Sequence, residues 1–458
     1  QSILKQIEKN VYEEISKAKI PDTAITVINS GDVNYLYHSD NKSKSDINND
    51  TLFQLGSLSK AYTGLGILLL EDEGLLSLDD PVSKYLPWFS VTFEGKTVPP
   101  EALTIANLLY QTSGFTNAES KYPSAKQGMP LEDSIRQING TELMYYPSQQ
   151  YDYSNTNYRI LGLIIEKVSG QTYEAFMTDA ILLPLGLKNT YADLSKIPTT
   201  ASVAGGSRLS FQKTWTYEVP VVQANVPAGY IFSNVADMSR YIQIQMGEIE
   251  VSEQFQRIIK KSHEPNQGSI VDSNTHYAAG WFINDETGEI YHSGGTPNYS
   301  TNVSIRPSSN NAVCVLTNMN ASANTNHIAS NVLNILENKP TTAYPTDVWM
   351  IFDLIFSIIT ILCLVGTIVY LFFIIRRVLY IRNGQRKKVK SGKKWLLAFL
   401  PSAVLMLISA LVVFLIPIIF SSSWRDLCLW APFSLILGMI SLFVVAAFSL
   451  VHTIISRR

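Results

Sequence analysis

The sequence predicts an α+β domain, an antiparallel sheet flanked by helices with a helical insertion, followed by three transmembrane helices. Two observations carry this. Strand patterns open the chain, helical patterns fill its middle, strand patterns return after about residue 201, and a last amphipathic helix follows. That order fits an antiparallel sheet covered by helices. Three long apolar runs then close the chain, at about residues 348–375, 395–420 and 427–455. Each exceeds the roughly 20 residues a helix needs to cross a bilayer.

The elements follow in order. Residues 1–18 place Ile7, Val11 and Ile15 on one helical face. Residues 23–28 and 33–38 alternate like paired strands around Ser30-Gly31-Asp32. Residues 40–50 form a polar surface loop. A strand-like stretch, 51–55, leads into Gly56-Ser57-Leu58-Ser59-Lys60 and the apolar run 61–70. Gly74 marks a helix stop and Asp79-Asp80-Pro81 a new start. Residues 100–195 are mostly helical in pattern. Strands are expected at 277–283, 289–292, 302–305 and 312–317, and a helix near 323–337 precedes the linker 338–346. No internal repeat is visible.

Composition narrows the function classes. Twelve of the 36 Lys/Arg and three of the 38 Asp/Glu fall in residues 344–458, which leaves 24 basic against 35 acidic residues in the remainder. A body with a formal charge of −11 excludes nucleic acid as an expected partner. Cys314, Cys363 and Cys428 supply no disulfide framework, and the six histidines show no ligand spacing. No metal or cofactor is expected. The domains are thus 1–343, the mixed strand-and-helix body, and 344–458, a membrane domain.

Residues 376–394 carry nine Lys/Arg and no acid, and the chain ends in Arg457-Arg458. The positive-inside rule puts both in the cytoplasm, and three spans then put residues 1–343 outside. Export requires a signal; the chain starts at Gln1 without a methionine, so a removed signal peptide is inferred. The expected location is a bacterial cell (inner) membrane, with the lipid bilayer as a partner. Asp353, about one turn into the first run, either snorkels to the outer interface or faces a partner helix. Trp349 and Trp395 sit at span ends, where interfacial tryptophan belongs.

Ser57 and Lys60, three apart at a helix start, share one face. A serine hydroxyl is a poor nucleophile without a base beside it, and a lysine whose charge is disfavoured supplies one. Ser-x-x-Lys alone is weak evidence: it also occurs at Ser2, Ser16, Ser39, Ser210 and Ser391, in charged or polar settings. Tyr153-Ser154-Asn155 follows a turn and precedes a helical pattern. A loop tyrosine near a lysine can relay protons, while a packed loop-capping ring is the plainer reading. His292-Ser293-Gly294-Gly295 follows a strand. Its glycines let a substrate backbone approach and an amide there can join that of Ser57 in an oxyanion hole, while an ordinary Gly-Gly turn is the alternative.

Together, in this order, the three motifs resemble the serine β-lactamase and penicillin-binding-protein superfamily, over about residues 15–335. The flanks resemble its class C-like branch: Phe53-Gln54-Leu55-Gly56-Ser57, Leu108-Leu109-Tyr110-Gln111-Thr112-Ser113-Gly114, Tyr153-Ser154-Asn155-Thr156-Asn157-Tyr158, Pro184-Leu185-Gly186-Leu187 and Tyr277-Ala278-Ala279-Gly280-Trp281. The resemblance implies a β-lactamase-like fold, with Ser57 as nucleophile, Lys60 as its base, Tyr153 as proton shuttle, and the amides of Ser57 and Gly295 as the oxyanion hole. One departure is the third motif, usually Lys-Thr-Gly and here His292-Ser293-Gly294, a form found in esterase and peptidase relatives. A neutral His292 holds a substrate carboxylate less well than lysine.

The pairing of this domain with three spans is similar to membrane-bound peptidases that mature nonribosomal-peptide prodrugs, the colibactin-activating peptidase among them. Supporting text is Asn225-Val226-Pro227-Ala228-Gly229-Tyr230, Thr296-Pro297-Asn298-Tyr299-Ser300, Ile305-Arg306-Pro307 and Thr317-Asn318-Met319-Asn320. Such enzymes remove an acyl-D-asparagine cap. The resemblance therefore implies an acylated D-amino-acid peptide as substrate, with the spans tethering the enzyme near an exporter or helping substrate reach it. Gln54, Asn155, Asn225 and Asn298 are the candidates to read the carboxamide, being both donors and acceptors, and His292 the candidate for a carboxylate. A cell-wall-directed D-amino peptidase or esterase, and a non-catalytic penicillin-binding-like sensor, are the alternatives.

Overall fold

The computed structural model describes residues 2–40, 46–116, 122–123, 125–345, 347–384 and 398–455. The chain divides into two compact units. One comprises residues 1–208 and 216–345; the other comprises 346–458 together with the short stretch 209–215. The sequence boundary near 343 therefore misses seven residues from the middle of the chain, which go with the membrane helices.

The first unit is built on an eight-stranded antiparallel sheet. Its strands are β1 (Asp22–Asn29), β2 (Asp32–Ser39), β3 (Ile270–Asp272), β4 (Thr275–Tyr277), β5 (Phe282–Asn284), β6 (Ile290–Thr296), β7 (Tyr299–Arg306) and β8 (Asn311–Thr317), in the order β3-β4-β5-β6-β7-β8-β1-β2. β1 and β2 are in register from Asp22 opposite Ser39 to Asn29 opposite Asp32. β1 also pairs with β8, so the first and last strands of the domain meet in mid-sheet. The N-terminal helix Ser2–Ala18 packs against the helix Ser322–Leu336, which covers β7 and β8. Ile7, Val11 and Ile15 are buried, as their spacing predicts.

The helix Ser59–Asp72 has no solvent face over its first twelve residues, all of which are buried. It packs against Asn155–Ser169, Glu253–Ser262 and Val226–Gly229. The region 100–195, expected to be mostly helical, holds one long helix, Asn155–Ser169, and several short ones. The expected strand 277–283 is interrupted between β4 and β5. Gly280 there has a φ of +85°, and a Cβ on it would lie 2.6 Å from the Lys60 carbonyl oxygen. The strand breaks so that its backbone can rest on the start of the central helix.

In the second unit three helices are long and apolar enough to cross a membrane: Val348–Arg382, Leu400–Ile419 and Phe433–Ile455. The first is 35 residues long, about 52 Å at 1.5 Å per residue, and runs on past the predicted end at 375 to include Arg376, Arg377 and Arg382. The third is shorter than predicted. Pro432 separates a short helix, Trp424–Trp430, from Phe433–Ile455, because proline cannot donate into a continuous helix. Asp353 is fully buried and does not snorkel. Residues 385–397, most of the predicted basic loop, and the Arg457-Arg458 end lie outside the described residues.

Gly64, on the central helix, lies close against Ala279 in the link between β4 and β5. A Cβ there would sit 2.6 Å from the Ala279 carbonyl oxygen. Forcing that contact costs about 1–3 kcal/mol, more than the ~1 kcal/mol that alanine gains over glycine in a helix. Gly64→Ala is expected to lower the thermal midpoint of the hydrolase unit; an unchanged or raised Tm would show that the gap is loose.

Candidate active site

Ser57 does not begin the helix itself. It lies in a 3-10 turn, Gly56–Leu58, directly before Ser59–Asp72. Ser59 fixes that turn: its hydroxyl donates to the Gly56 carbonyl at 2.8 Å and accepts from the Ile231 amide at 3.0 Å. The Thr301 hydroxyl on β7 donates to the Leu55 carbonyl at 2.7 Å. Between residues 51 and 60 every residue is buried except Ser57, which is half-buried and accessible.

The structure brings Lys60 to Ser57 and the Tyr153 ring to Lys60. Lys60 is fully buried. Its Nζ lies 3.0 Å from Ser57 Oγ, 2.7 Å from Asn155 Oδ1 and 2.6 Å from the Ala228 carbonyl oxygen. The two short bonds orient the nitrogen so that its third position faces the serine. An ammonium donates there; an amine accepts the hydroxyl proton there. The Tyr153 ring centroid is 4.8 Å from the same Nζ. Tyr153 is held among Tyr277, Phe282 and His292, with ring centroids 6.1 to 6.3 Å away.

Gln111 pins the Tyr153 loop. With φ at +60°, it accepts the Ser154 amide at 3.0 Å and the Asn157 carboxamide at 2.5 Å on its side-chain oxygen, and its carbonyl accepts from the Asp152 amide at 2.9 Å. The Leu108–Gly114 flank therefore has a positioning task, for which the sequence reading assigned no residue. Its backbone is also close-fitting: a Cβ on Gly114 would lie 1.9 Å from the Tyr145 carbonyl oxygen.

On the other wall, β6 runs past the Ser57 turn. A Cβ on Gly56 would meet the Gly295 nitrogen at 2.6 Å, and one on Gly294 the Leu55 carbonyl at 1.9 Å. This close approach sets the Gly295 nitrogen against Gly56, the residue before Ser57, whose own amide opens the turn into the helix. Two such donors are the arrangement that stabilises a developing oxyanion. Along β6 burial alternates: His292, Gly294 and Thr296 face inward, Tyr291, Ser293 and Gly295 face the more open side. Ser293, which the sequence reading passed over, shares a side with Gly295; strict strand alternation was the available signal.

The remaining candidates fall into different places. Asn155 is half-buried and its side-chain oxygen holds Lys60. Asn298 is buried; its carboxamide donates to the Tyr217 carbonyl at 2.9 Å and accepts from Thr296 Oγ1 at 3.3 Å. It ties the β6–β7 turn and is committed to that role. Asn225 is half-buried at the end of a 3-10 turn that precedes Val226–Gly229. Gln54 is buried, and its side-chain oxygen has no hydrogen-bond partner among the described residues. No cluster of three or more His, Cys, Asp or Glu among the described residues is placed to hold a metal ion.

His292 cannot face a substrate carboxylate as the sequence reading allowed, because its ring is buried beneath β6. Nδ1 lies 2.6 Å from the Ser293 carbonyl and Nε2 3.4 Å from the Tyr277 hydroxyl. Burial, and after it the charge of Lys60, pushes the imidazole down from 6.5 to about 3. The unfolded chain binds a proton near 6.5 and the folded chain only near 3, so this residue's contribution is complete above about pH 6.5 and is lost as pH falls towards 3. His292→Gln removes this titration. Its stability, followed by denaturant unfolding, is expected to fall less steeply than wild type over that interval, whatever its level at neutral pH; parallel curves would show that the ring is solvated.

Comparison with known proteins identifies the family. A family model described as Beta-lactamase matches residues 5–335. The Protein flp of Staphylococcus aureus (strain MW2) is 29% identical, over 97% of this chain and 89% of its own length. Penicillin-binding protein 4* of Bacillus subtilis (strain 168) is 28% identical, over 64% of this chain and 67% of its own. Among solved structures, the octameric penicillin-binding protein homologue from Pyrococcus abyssi superposes with a TM-score of 0.64 at 24% identity, covering 74% of this chain and 79% of that one. A class C beta-lactamase superposes at 0.62 and 19% identity, covering 73% and 96%. The chain belongs to the beta-lactamase family of serine hydrolases, with helices long and apolar enough to anchor it in a membrane.

Proposed function

We propose that this protein is a membrane-anchored Ser-Lys-Tyr amidohydrolase that attacks the carbonyl of an acylated D-amino acid, with residues 1–343 outside the cytoplasm of a bacterial cell. The observation that carries it is the 3.0 Å contact between Lys60 Nζ and Ser57 Oγ, within a turn whose only accessible member is the serine. Lys60, as the amine, takes the hydroxyl proton while Ser57 Oγ bonds to the carbonyl carbon. The carbonyl oxygen, now negative, lies against the amides of Ser57 and Gly295. As the tetrahedral species collapses, the C–N bond breaks and the leaving nitrogen receives a proton relayed from Lys60 by Tyr153. Water then attacks the ester, with the same groups returning the proton to Ser57.

The acyl-D-asparagine substrate is the finer form of this reading. It draws on the resemblance to prodrug-maturing peptidases, and its remaining carboxamide candidates are Asn225 and Gln54. A cell-wall-type D-amino peptidase or esterase is the second reading. It is favoured by the commitment of Asn155 to Lys60 and of Asn298 to Tyr217. A solved relative described as a D-alanine carboxypeptidase, from Burkholderia cenocepacia, has the same fold with a TM-score of 0.61 at 21% identity.

A fluorophosphonate probe is expected to label the wild-type protein and not Ser57→Ala. Lys60→Ala and Tyr153→Phe are expected to lower hydrolysis by about 10²–10⁴-fold with folding intact by circular dichroism. Hydrolysis of acyl-D-Asn amides well above acyl-D-Ala amides supports the prodrug form, and the reverse order supports the cell-wall form. A wild-type protein that takes up no probe and turns over neither substrate would be a sensor.

A further inference from the structure

The stretch Asn225-Val226-Pro227-Ala228-Gly229-Tyr230 supplies one atom to the geometry around Lys60. The Ala228 carbonyl oxygen accepts from Lys60 Nζ at 2.6 Å. That oxygen can aim the amine only if its own segment is held. Val226–Gly229 is a helix of four residues, and one turn of helix fixes several dihedral angles for a single hydrogen bond. Its position is therefore set by what it touches.

The central helix touches it through Thr63. The Thr63 hydroxyl donates to the Pro227 carbonyl at 2.7 Å, and the same oxygen lies 2.7 Å from the Tyr173 hydroxyl. The Ser59 carbonyl, at 3.3 Å, is the poorer acceptor. A threonine hydroxyl carries one hydrogen, so with that hydrogen on Pro227 it is Tyr173 that donates to Thr63. The bonds run in one direction, from Tyr173 through Thr63 to the Pro227 carbonyl, and successive bonds of this kind polarise one another. Both side chains are buried. The Pro227 ring rests against Gly162, where a Cβ would sit 2.4 Å from Pro227 Cγ. Pro227 is thus held by its carbonyl and by its ring, and Ala228 follows it across a planar peptide. Lys60 and Thr63, three apart, lie on one face of one helix. Thr63 grips the segment, and the segment in turn holds Lys60.

We propose that Thr63, with Tyr173 behind it, is a positioning residue for Lys60. By fixing the Pro227–Ala228 peptide it sets the Ala228 carbonyl, and that carbonyl aims the amine at Ser57. Both residues act through the lysine. This rests on the proposed assignment of Ser57 as nucleophile and Lys60 as its base, and it gives the 225–230 stretch a task apart from reading substrate.

The test uses the full chain in nanodiscs, as wild type, Thr63→Val, Thr63→Ser and Tyr173→Phe, each also combined with Lys60→Ala. Hydrogen exchange over 226–230 reads the grip. Phosphonylation of Ser57 by a fluorophosphonate, with loss of fluoride, reads the chemistry. Valine keeps the shape of threonine without its hydroxyl, and serine keeps the hydroxyl. In Thr63→Val, exchange is expected to quicken about tenfold and the maximal phosphonylation rate to fall about tenfold, with little change in the half-saturating probe concentration. Tyr173→Phe is expected to move both in the same direction by about threefold. Thr63→Ser is expected to restore wild-type behaviour. In Lys60→Ala there is no amine to aim, so adding Thr63→Val is expected to change the residual rate by less than about twofold. Unchanged exchange in Thr63→Val overturns the grip. Faster exchange with an unchanged maximal rate overturns the positioning role, as does an equal loss of rate with and without Lys60. A Thr63→Ser rate as low as that of Thr63→Val also overturns it. If Thr63→Val does not accumulate, Tyr173→Phe with and without Lys60 carries the same comparison. A wild type that takes up no probe counts against the assignment of Ser57, while exchange over 226–230 still judges the grip.

Discussion

Two stretches of backbone meet at the centre of the hydrolase unit with no side chain between them. Gly56 lies so close to Gly295 that a methyl group would sit 2.6 Å from its nitrogen, and Gly294 would collide with the Leu55 carbonyl at 1.9 Å. Only residues without a Cβ permit this. Gly56 also needs its φ of +56° to turn the chain into the helix. The contact brings the Gly295 nitrogen, from a segment more than 230 residues away, against the residue before Ser57. The supporting bonds serve it: Thr301 reaches across from β7 to the Leu55 carbonyl, and Ser59 joins the turn to Ile231.

The second constraint is electrical. A fully buried lysine is costly unless its hydrogens find partners. Asn155 and the Ala228 carbonyl take two positions and Ser57 the third, so the amine is both satisfied and aimed. The strand residue beneath bears on the same balance. A lysine in place of His292 would bring a second positive charge into the interior that Lys60 occupies. The neutral imidazole fills that space with no charge and packs against Tyr153, Tyr277 and Phe282.

What the sequence revealed tracks how local the determinant is. Ser57 and Lys60 were legible because a helix puts residues three apart on one face. The hairpin β1–β2 and the helix Ser322–Leu336 were legible from periodicity. The direction of His292 was only half legible: the motif named the residue, but its side of the strand follows from alternation, which assigns the accessible side to Ser293. Asn298 matched a motif and turned out to serve the turn. The tasks of Gln111 and Gly280 could not be read, since Gln111 meets Ser154 43 residues on and Gly280 meets Lys60 from 220 residues away. The break at Pro432 was written in the sequence, but tolerance of proline at span ends hid its effect.

The membrane unit follows a different logic from the sheet. Lipid offers apolar surface as readily as another helix does, so helices associate there through close packing and polar contacts. Half of the apolar window of Phe433–Ile455 is buried, against 11% for Val348–Arg382 and 17% for Leu400–Ile419. The last helix packs against both of the others and is the centre of the group. Its residues suit that position. Gly438 receives Phe356, Val445 fills the space beside Gly366, and Ser449 bonds Ser402 at 2.9 Å. Ser434, one turn further towards its N-terminus than Gly438, donates to Asp353. The same small polar face that holds the helices together therefore completes the shell of the carboxylate. The Asp353 side chain accepts from the Phe211 and Gln212 amides, the Gln212 carboxamide and Ser434, and its removal would leave two adjacent turn amides without an acceptor.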